Sequence, residues 1–599
     1  MLLYSAITTS LPGAEKQAGH RSSEPTSARA RELTYTHPLG LDSWRKLGQG
    51  VVDFVADYYR YLHRTDTPVM SAAQPGFLRA VLPTAPPERG ERLEAVLHDV
   101  RTHIIPGLSH WQSPRFFAYF PMNTRHVVAS MLADILVSGF GVLAFQWLSS
   151  PACTELEQIS LEWLAQLLDL PPCFRAAAPA AAAVLPGSAS EAVLVALVAA
   201  RARALEGRPP EDATRLVAYA TDQTHSCLAK ACLVTGVRHV RVLSTHAARQ
   251  FAMEAAALEE AVRRDAAAGL LPCFVCATVG TTSSCAVDPV GEVAQVAARH
   301  GLWLNVDAAW AGAFAVLPDQ RELYFGGLEG ADSLDLNPHK GLLTGWECSA
   351  LYVKDARWVK KALTPGVPEA YLQDKCGGTA TSRGTDGSCA ADSGGGGGGS
   401  GLAAGPAEGR EEQQEEGKED AAAGPGAGSS DGTSGSGSGS TAAAAGGPAR
   451  LPAVPVDFKD LDVPLGHGRF RGLRLWFVLR LYGAEGLRRL MRHRLLLQDF
   501  LADMVLEDPR FELVLGAPPR FGLVCFRLRG SDAANAALLD SVNASGAAFM
   551  SHTTLAGRYV VRCAIGGTWT QGRHVEAAWR AVQRCATGVL QEAAGVADG

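Results

Sequence analysis

The chain has 599 residues, 47% of them hydrophobic and 19% charged, with a formal charge of −6. That is enough for a large core and several domains. The mild acidity argues against nucleic acid or an anionic membrane as partner, and no apolar run reaches transmembrane length.

Taken in chain order, residues 1–40 are rich in Ser, Thr and Ala and lack the compact apolar core of a secretory signal. A transit peptide is the alternative, but Glu15 and Glu24 count against it, so the segment reads as a disordered tail. Residues 41–120 read as amphipathic helices unstable on their own. Thirteen scattered cysteines, an odd number, fit a reducing compartment better than a disulfide framework, which makes the expected location cytoplasmic.

Between Pro179 and Asp355 the pattern alternates. GSASE opens a helix-like run, AVLVALVAARARAL. Strand-like runs follow: LVAYATD, VRVLST, CFVCATVG, LWLNVDAA, SLDLNPH and SALYVKD. Helical segments such as MEAAALEEAVRRDAAAG and VGEVAQVAARHG separate several of them. This spacing predicts an α/β fold, a mostly parallel sheet with helices on both faces. The Cys273/Cys276 pair lies inside one of the strands and has no second pair, so it reads as core. No metal site is expected.

In such sheets ligands bind outside the C-terminal strand ends. Those ends carry His225, Thr281, Thr282, Asp307, His339 and Lys340. A lysine amine among apolar groups has a lowered pKa and can form a Schiff base with an aldehyde, and pyridoxal 5′-phosphate is the common biological aldehyde. That cofactor needs a carboxylate at its pyridine nitrogen, which Asp307 can supply. Its phosphate needs backbone N–H groups at a helix start, which GSASEA can supply. An imidazole such as His225 can stack on the ring. Each residue alone has an ordinary reading: a turn aspartate, an N-cap, a structural histidine, a solvated lysine. Their order and spacing together point to the cofactor.

From about Lys375 to Arg450 the composition shifts to Gly, Ser, Ala and Glu, with few large apolar residues. Such a segment cannot bury enough surface to offset its ordering entropy, so residues 375–452 read as a disordered insertion.

In this order PGSASEA, TDQTHSC, ATVGTTSSC, VDAAWAG and NPHK resemble the group II pyridoxal-phosphate-dependent decarboxylases. The nearest branch is that of the aromatic-L-amino-acid decarboxylases, which includes the plant tyrosine and tryptophan decarboxylases. The resemblance begins near Leu41, resumes after the insertion at VDFKDLDVPLGHGRFRG and runs to about Arg580. It implies an aspartate-aminotransferase-like fold (fold type I) with a helical N-terminal segment (41–120), a large cofactor-binding domain (121–374), and a smaller α+β C-terminal domain within 453–585. A tail (586–599) follows. The resemblance also implies a homodimer with the active site at the subunit interface.

Residue by residue, it implies that Lys340 carries the cofactor, Asp307 meets the pyridine nitrogen, Ala309 packs beneath the ring and His225 stacks on the opposite face. Ala189, Ser190 and Asn337 would lie on the phosphate side, with Thr282 and His339 beside them. Trp111, Tyr119, Phe120, Pro121, Phe145 and Trp147 would wall an aromatic amino-acid substrate. Tyr371, on a mobile loop, would protonate the α-carbon after loss of CO2. Phenylalanine at that place resembles the aromatic aldehyde synthases, so tyrosine favours the amine.

Three features depart from the family pattern: the insertion begins just after Tyr371, Pro186 stands before GSASEA, and LGHGRFRG has a shifted register. In that last stretch His467 and Gly468 compete for a position that helps separate indolic from phenolic substrates. A non-catalytic scaffold acting through the insertion is the rival from another class, and deletion of residues 380–445 separates the two.

Overall fold

The computed structural model describes residues 40–120, 128–364, 458–461, 463, 470–514 and 516–597. Pro121, Tyr371, His467, Gly468, residues 1–39 and the predicted insertion 375–452 lie outside the described residues. The predicted tail 586–599 is corrected: residues 586–597 continue helix Gly572–Ala597.

Seven strands form the main sheet: β1 (Ala182–Val184), β2 (Leu216–Thr221), β3 (His239–Leu243), β4 (Leu271–Thr278), β5 (Trp303–Asp307), β6 (Ser333–Leu336) and β7 (Ala350–Val353). Their order is β1-β7-β6-β5-β4-β2-β3. The β2–β3, β2–β4, β4–β5 and β5–β6 pairs are parallel, whereas β7 runs antiparallel to both β6 and β1. The sheet is therefore mostly parallel, as the alternation predicts.

Alternate side chains along the strands enter two cores. Val275, Leu304, Val306, Leu334 and Leu336 join one with residues of helices Pro151–Leu167, Ala255–Ala267, Val290–His300 and Arg471–Glu507. Trp303, Cys276 and Leu351 join the other with residues of helices Ala189–Ala204, Cys227–Thr235 and Ala356–Leu363. Helices thus cover both faces, as buried parallel strands require. Cys273 and Cys276 are both part of the second core, and the described residues hold no cluster of three or more metal-ligating side chains.

Phe458 and Leu461 bury themselves in that same second core, beside Val359 of helix Ala356–Leu363. The chain thus re-enters the core it left before residue 365. The helix Arg471–Glu507 then runs on, broken by Gly483 (φ 63°, ψ 177°), a conformation that glycine adopts without a Cβ penalty. A second sheet follows, wholly antiparallel: β8 (Phe511–Leu513), β9 (Leu523–Leu528), β10 (Ser551–Leu555) and β11 (Arg558–Ala564), in the order β10-β11-β9-β8. Helices Asp532–Ala544 and Gly572–Ala597 pack on it through Leu538, Leu539, Val575 and Trp579. No described helix is long and apolar enough to cross a membrane.

Candidate active site

The C-terminal ends of β2, β4, β5 and β6 open on one cavity of about 240 Å³. Nine residues expected to hold the cofactor line it together: Ala189, Ser190, His225, Thr282, Asp307, Ala309, Asn337, His339 and Lys340.

Lys340 stands in the one-turn helix Pro338–Gly341 that follows β6. Its N–H donates to the Asn337 carbonyl at 3.0 Å, and the Asn337 N–H donates to the Ala309 carbonyl at 3.1 Å, which ties the turn after β6 to the turn after β5. Burial holds the Lys340 amine below the ordinary lysine range; Asp307 and Asp335 oppose that shift. Asp307 ends β5 and is buried, and its Oδ1 accepts the Ala309 N–H at 2.9 Å. His225 stands at the edge of the cavity, with part of the residue open to solvent and the ring partly desolvated. Its Nδ1 accepts the Cys227 N–H at 3.1 Å, which orients the ring, and burial of that ring lowers its pKa.

His339 is buried against Trp346, with ring centroids 4.9 Å apart, and its Nδ1 lies 2.8 Å from the Cys348 carbonyl. Burial first and the Lys340 charge second push its pKa down to about 3, so the imidazole is neutral. On the opposite wall, the Ser188 side chain caps helix Ala189–Ala204 by accepting the Glu191 N–H, while Glu191 accepts the Gly187 N–H at 2.7 Å. This reciprocal cap leaves the first helical N–H groups, at Ala189 and Ser190, for a ligand. The Pro186 carbonyl accepts the Ser349 N–H at 2.9 Å.

Two buried acceptors around this cavity have no partner among the described residues, Thr278 Oγ1 and Asn337 Oδ1. Buried polar atoms are rarely left so, and a polar ligand seated here would satisfy them. Together with the buried amine, the facing carboxylate and the helix start, they fit pyridoxal 5′-phosphate.

Of the expected aromatic wall, Phe120 lines the cavity and stacks on Trp310 at 4.2 Å. Trp111 and Tyr119 stack on each other at 5.3 Å and cluster with Phe116 and Phe549. Within one chain they do not line the cavity, and neither do Phe145 and Trp147. The lining also includes Ser188, Cys227, Thr278, Gly280, Trp310 and Trp346, which the sequence did not single out. Gly280 carried a signal in ATVGTT: its φ of +85° and a Cβ that would meet Ala311 Cβ at 2.6 Å leave room only for glycine.

A lysine, an aspartate, an imidazole and a helix start around one cavity, at the strand ends of a fold-type-I α/β domain, define a pyridoxal-phosphate enzyme. The family profile described as "Pyridoxal-dependent decarboxylase conserved domain" matches residues 75–385 and 450–529. The chain belongs to that family. It is 40% identical over 564 residues to a phenylacetaldehyde synthase of Arabidopsis thaliana, covering 93% of this chain and 98% of the relative. It is 38% identical to tryptophan decarboxylase 2 of Oryza sativa subsp. japonica, covering 93% and 97%. The crystal structure of Catharanthus roseus tryptophan decarboxylase in complex with L-tryptophan superposes with a TM-score of 0.75 at 33% identity, covering 92% of this chain and 100% of that one.

Proposed function

We propose that this enzyme decarboxylates an aromatic L-amino acid, of the tryptophan, tyrosine or dopa type, to the corresponding amine and CO2. The observation that carries the reading is the Lys340 amine and the Asp307 carboxylate on one cavity, in a chain similar over nearly its whole length to aromatic amino-acid decarboxylases. When bound, pyridoxal phosphate supplies an electron sink for the pair released as CO2 leaves. Lys340 holds the cofactor, and its lowered pKa keeps a share of the amine unprotonated and nucleophilic. Asp307 would hold a proton at the ring nitrogen. His225 and Ala309 would cover the ring. Ala189, Ser190 and Asn337 would take the phosphate, with Thr282 and His339 beside them.

Phe120 and Trp310 supply a flat apolar wall that suits an aromatic side chain. Trp111, Tyr119, Pro121, Phe145 and Trp147 complete that wall in a homodimer. Exposed apolar side chains on helix Leu41–Leu62 (Trp44, Val52) and on helix Val128–Phe140 (Leu132, Ile135, Phe140) support such an interface. Tyr371 delivers the proton to the α-carbon. Apart from the C-terminal helix, which runs through residue 597, the domain limits follow the sequence reading, with residues 375–452 as an insertion into one subunit and the cytoplasm as the compartment. The family match on both sides of the insertion supports the first point.

The second reading, oxidative conversion to the aldehyde, is favoured by the similarity to phenylacetaldehyde synthase. One assay separates the two. Purified protein with pyridoxal phosphate is given tryptophan, tyrosine, dopa or phenylalanine, and CO2, amine, aldehyde and peroxide are followed together. Amine with little peroxide is expected. Aldehyde with peroxide would replace the first reading by the second, and cofactor binding without turnover of any of them would sink the aromatic assignment.

A further inference from the structure

Asp335 has no part in the roles above, yet it lies beside them. In the parallel register of β5 and β6, Asp307 pairs with Asp335 and Asn305 with Ser333. Neighbouring strands lie about 4.8 Å apart, so the two carboxyl groups leave adjacent positions on the same face of the sheet. Asp335 is fully buried.

A hydrogen-bond relay fixes its chemistry. Trp303 Nε1, which can only donate, donates to Ser333 Oγ at 2.8 Å. The Ser333 hydroxyl therefore spends its own proton on Asn305 Oδ1, 2.6 Å away. That orients the Asn305 amide, whose Nδ2 donates to Asp335 Oδ1 at 3.0 Å. The other oxygen, Asp335 Oδ2, is buried and has no hydrogen-bond partner. An ionised carboxylate left half unpaired in a core, beside a second carboxylate, is strongly disfavoured. A neutral carboxylic acid with its proton on Oδ2 leaves one unpaired O–H but no buried charge, and costs far less.

The groups around Asp335 agree. β5 contributes Asp307, which opposes ionisation, and Lys340 after β6 favours it. Helix Ala189–Ala204 buries only apolar residues, and β7 sets Leu351 opposite Asp335. The nearby thiols Cys227 and Cys276 are pushed upward by burial and stay neutral. Burial, with Asp307 second, raises the Asp335 carboxyl well above the ordinary range.

We propose that Asp335 is a positioning residue for the cofactor: a neutral carboxylic acid that keeps the Asp307–Asp335 pair at one negative charge, so that Asp307 alone is the anion at the base of the cavity. A second charge there would hold Lys340 as an ammonium, which cannot attack a carbonyl. The inference rests on the reading of Asp307 as the partner of the ring nitrogen.

Infrared difference spectroscopy of the full chain, wild type minus Asp335→Asn, recorded both with and without pyridoxal phosphate, tests it. Wild type at neutral pH is expected to show the carbonyl stretch of a protonated carboxylic acid, and Asp335→Asn to lack it. In Asp307→Asn the band should disappear about one pH unit or more lower, because the repelling neighbour is gone. Asp335→Asn mimics the neutral form. It should keep the cofactor's visible absorption and its dissociation constant within about threefold at neutral pH, whereas wild type should lose about tenfold in affinity relative to it once Asp335 ionises at alkaline pH. Should Asp335→Asn not fold, the pH titration of wild type labelled with ¹³C at the aspartate carboxyls carries the test alone.

Cofactor binding without a protonated-acid band assignable to Asp335 would overturn the inference, as would a more than tenfold loss of affinity in Asp335→Asn at neutral pH. A band present in protein that binds no pyridoxal phosphate would overturn the reading of Asp307, and the positioning role with it.

Discussion

Two cavities flank β5 and β6. The first, about 240 Å³, takes its walls from the strand ends and holds the lysine, the aspartate and two histidines. The second, about 200 Å³, is lined by Leu334 and Leu336 from the other face of β6, together with Leu168, Leu170, Ala308 and Phe325. Size does not separate them; unsatisfied polarity does. Thr278 and Asn337 bring partnerless buried acceptors to the first, and no residue around the second carries such an atom. The second cavity has one ion pair, Arg321–Asp169 at 3.2 Å, with Asp169 largely in solvent. Period-2 alternation thus lets one pair of strands carry chemistry on one face and packing on the other.

The largest break of this comparison is Lys340→Ala. Loss of the retained cofactor absorption and a fall in turnover of at least about 10³-fold are expected, read by spectrophotometry and product assay, with little change in unfolding midpoint. On the packing face, Leu334→Ala should cost about 2–5 kcal/mol in urea unfolding and leave the cofactor spectrum unchanged. A shifted spectrum with unchanged stability would show that the two faces are not separable.

A smaller effect is set by pH. His339 is held neutral, with a pKa of about 3 against an ordinary 6.5. Between those values the unfolded chain binds the extra proton. The contribution of His339 is therefore fully present above about pH 6.5 and fades as pH falls, by up to about 1.4 kcal/mol per pH unit. Asp288, pushed up to about 6 by burial, works in the opposite sense over an overlapping range. The difference between wild type and His339→Asn, from urea melts across pH, isolates the histidine. The smallest effect is Asp169→Asn, which should change stability by less than about 1 kcal/mol because that pair is mostly exposed.

Much of the large sheet was legible. The runs read as strands fall on β2 to β7, because each is a continuous apolar or β-branched stretch that ends in polar residues. β1 was missed: it lies in an alanine-rich stretch whose composition carries no strand signal. The antiparallel direction of β7 was invisible because alternation reads the same both ways. At the site, the residues with chemistry to offer were found, whereas Ser188, Cys227, Thr278, Gly280 and Trp310 lie in the same motifs but serve as walls, and Trp346 lies outside them all. Trp346 reaches the cavity through a loop with left-handed backbone at Leu343 and Glu347, which no local pattern announces. Asp335 did carry a signal, a charged residue inside the apolar run SLDL, but its meaning needed the register with β5.

The seam at Val359 and Phe458 has one further consequence. The residues on either side of the 365–457 stretch pack into a single cluster, so folding holds the two ends of that length of chain together. The entropy of closing such a loop grows only with the logarithm of its length, about 0.6 kcal/mol for each doubling. Trimming or lengthening it should leave thermal stability nearly level. That makes the seam a natural splice point for a reporter domain or an affinity handle, with catalytic turnover as the readout of what the graft disturbs.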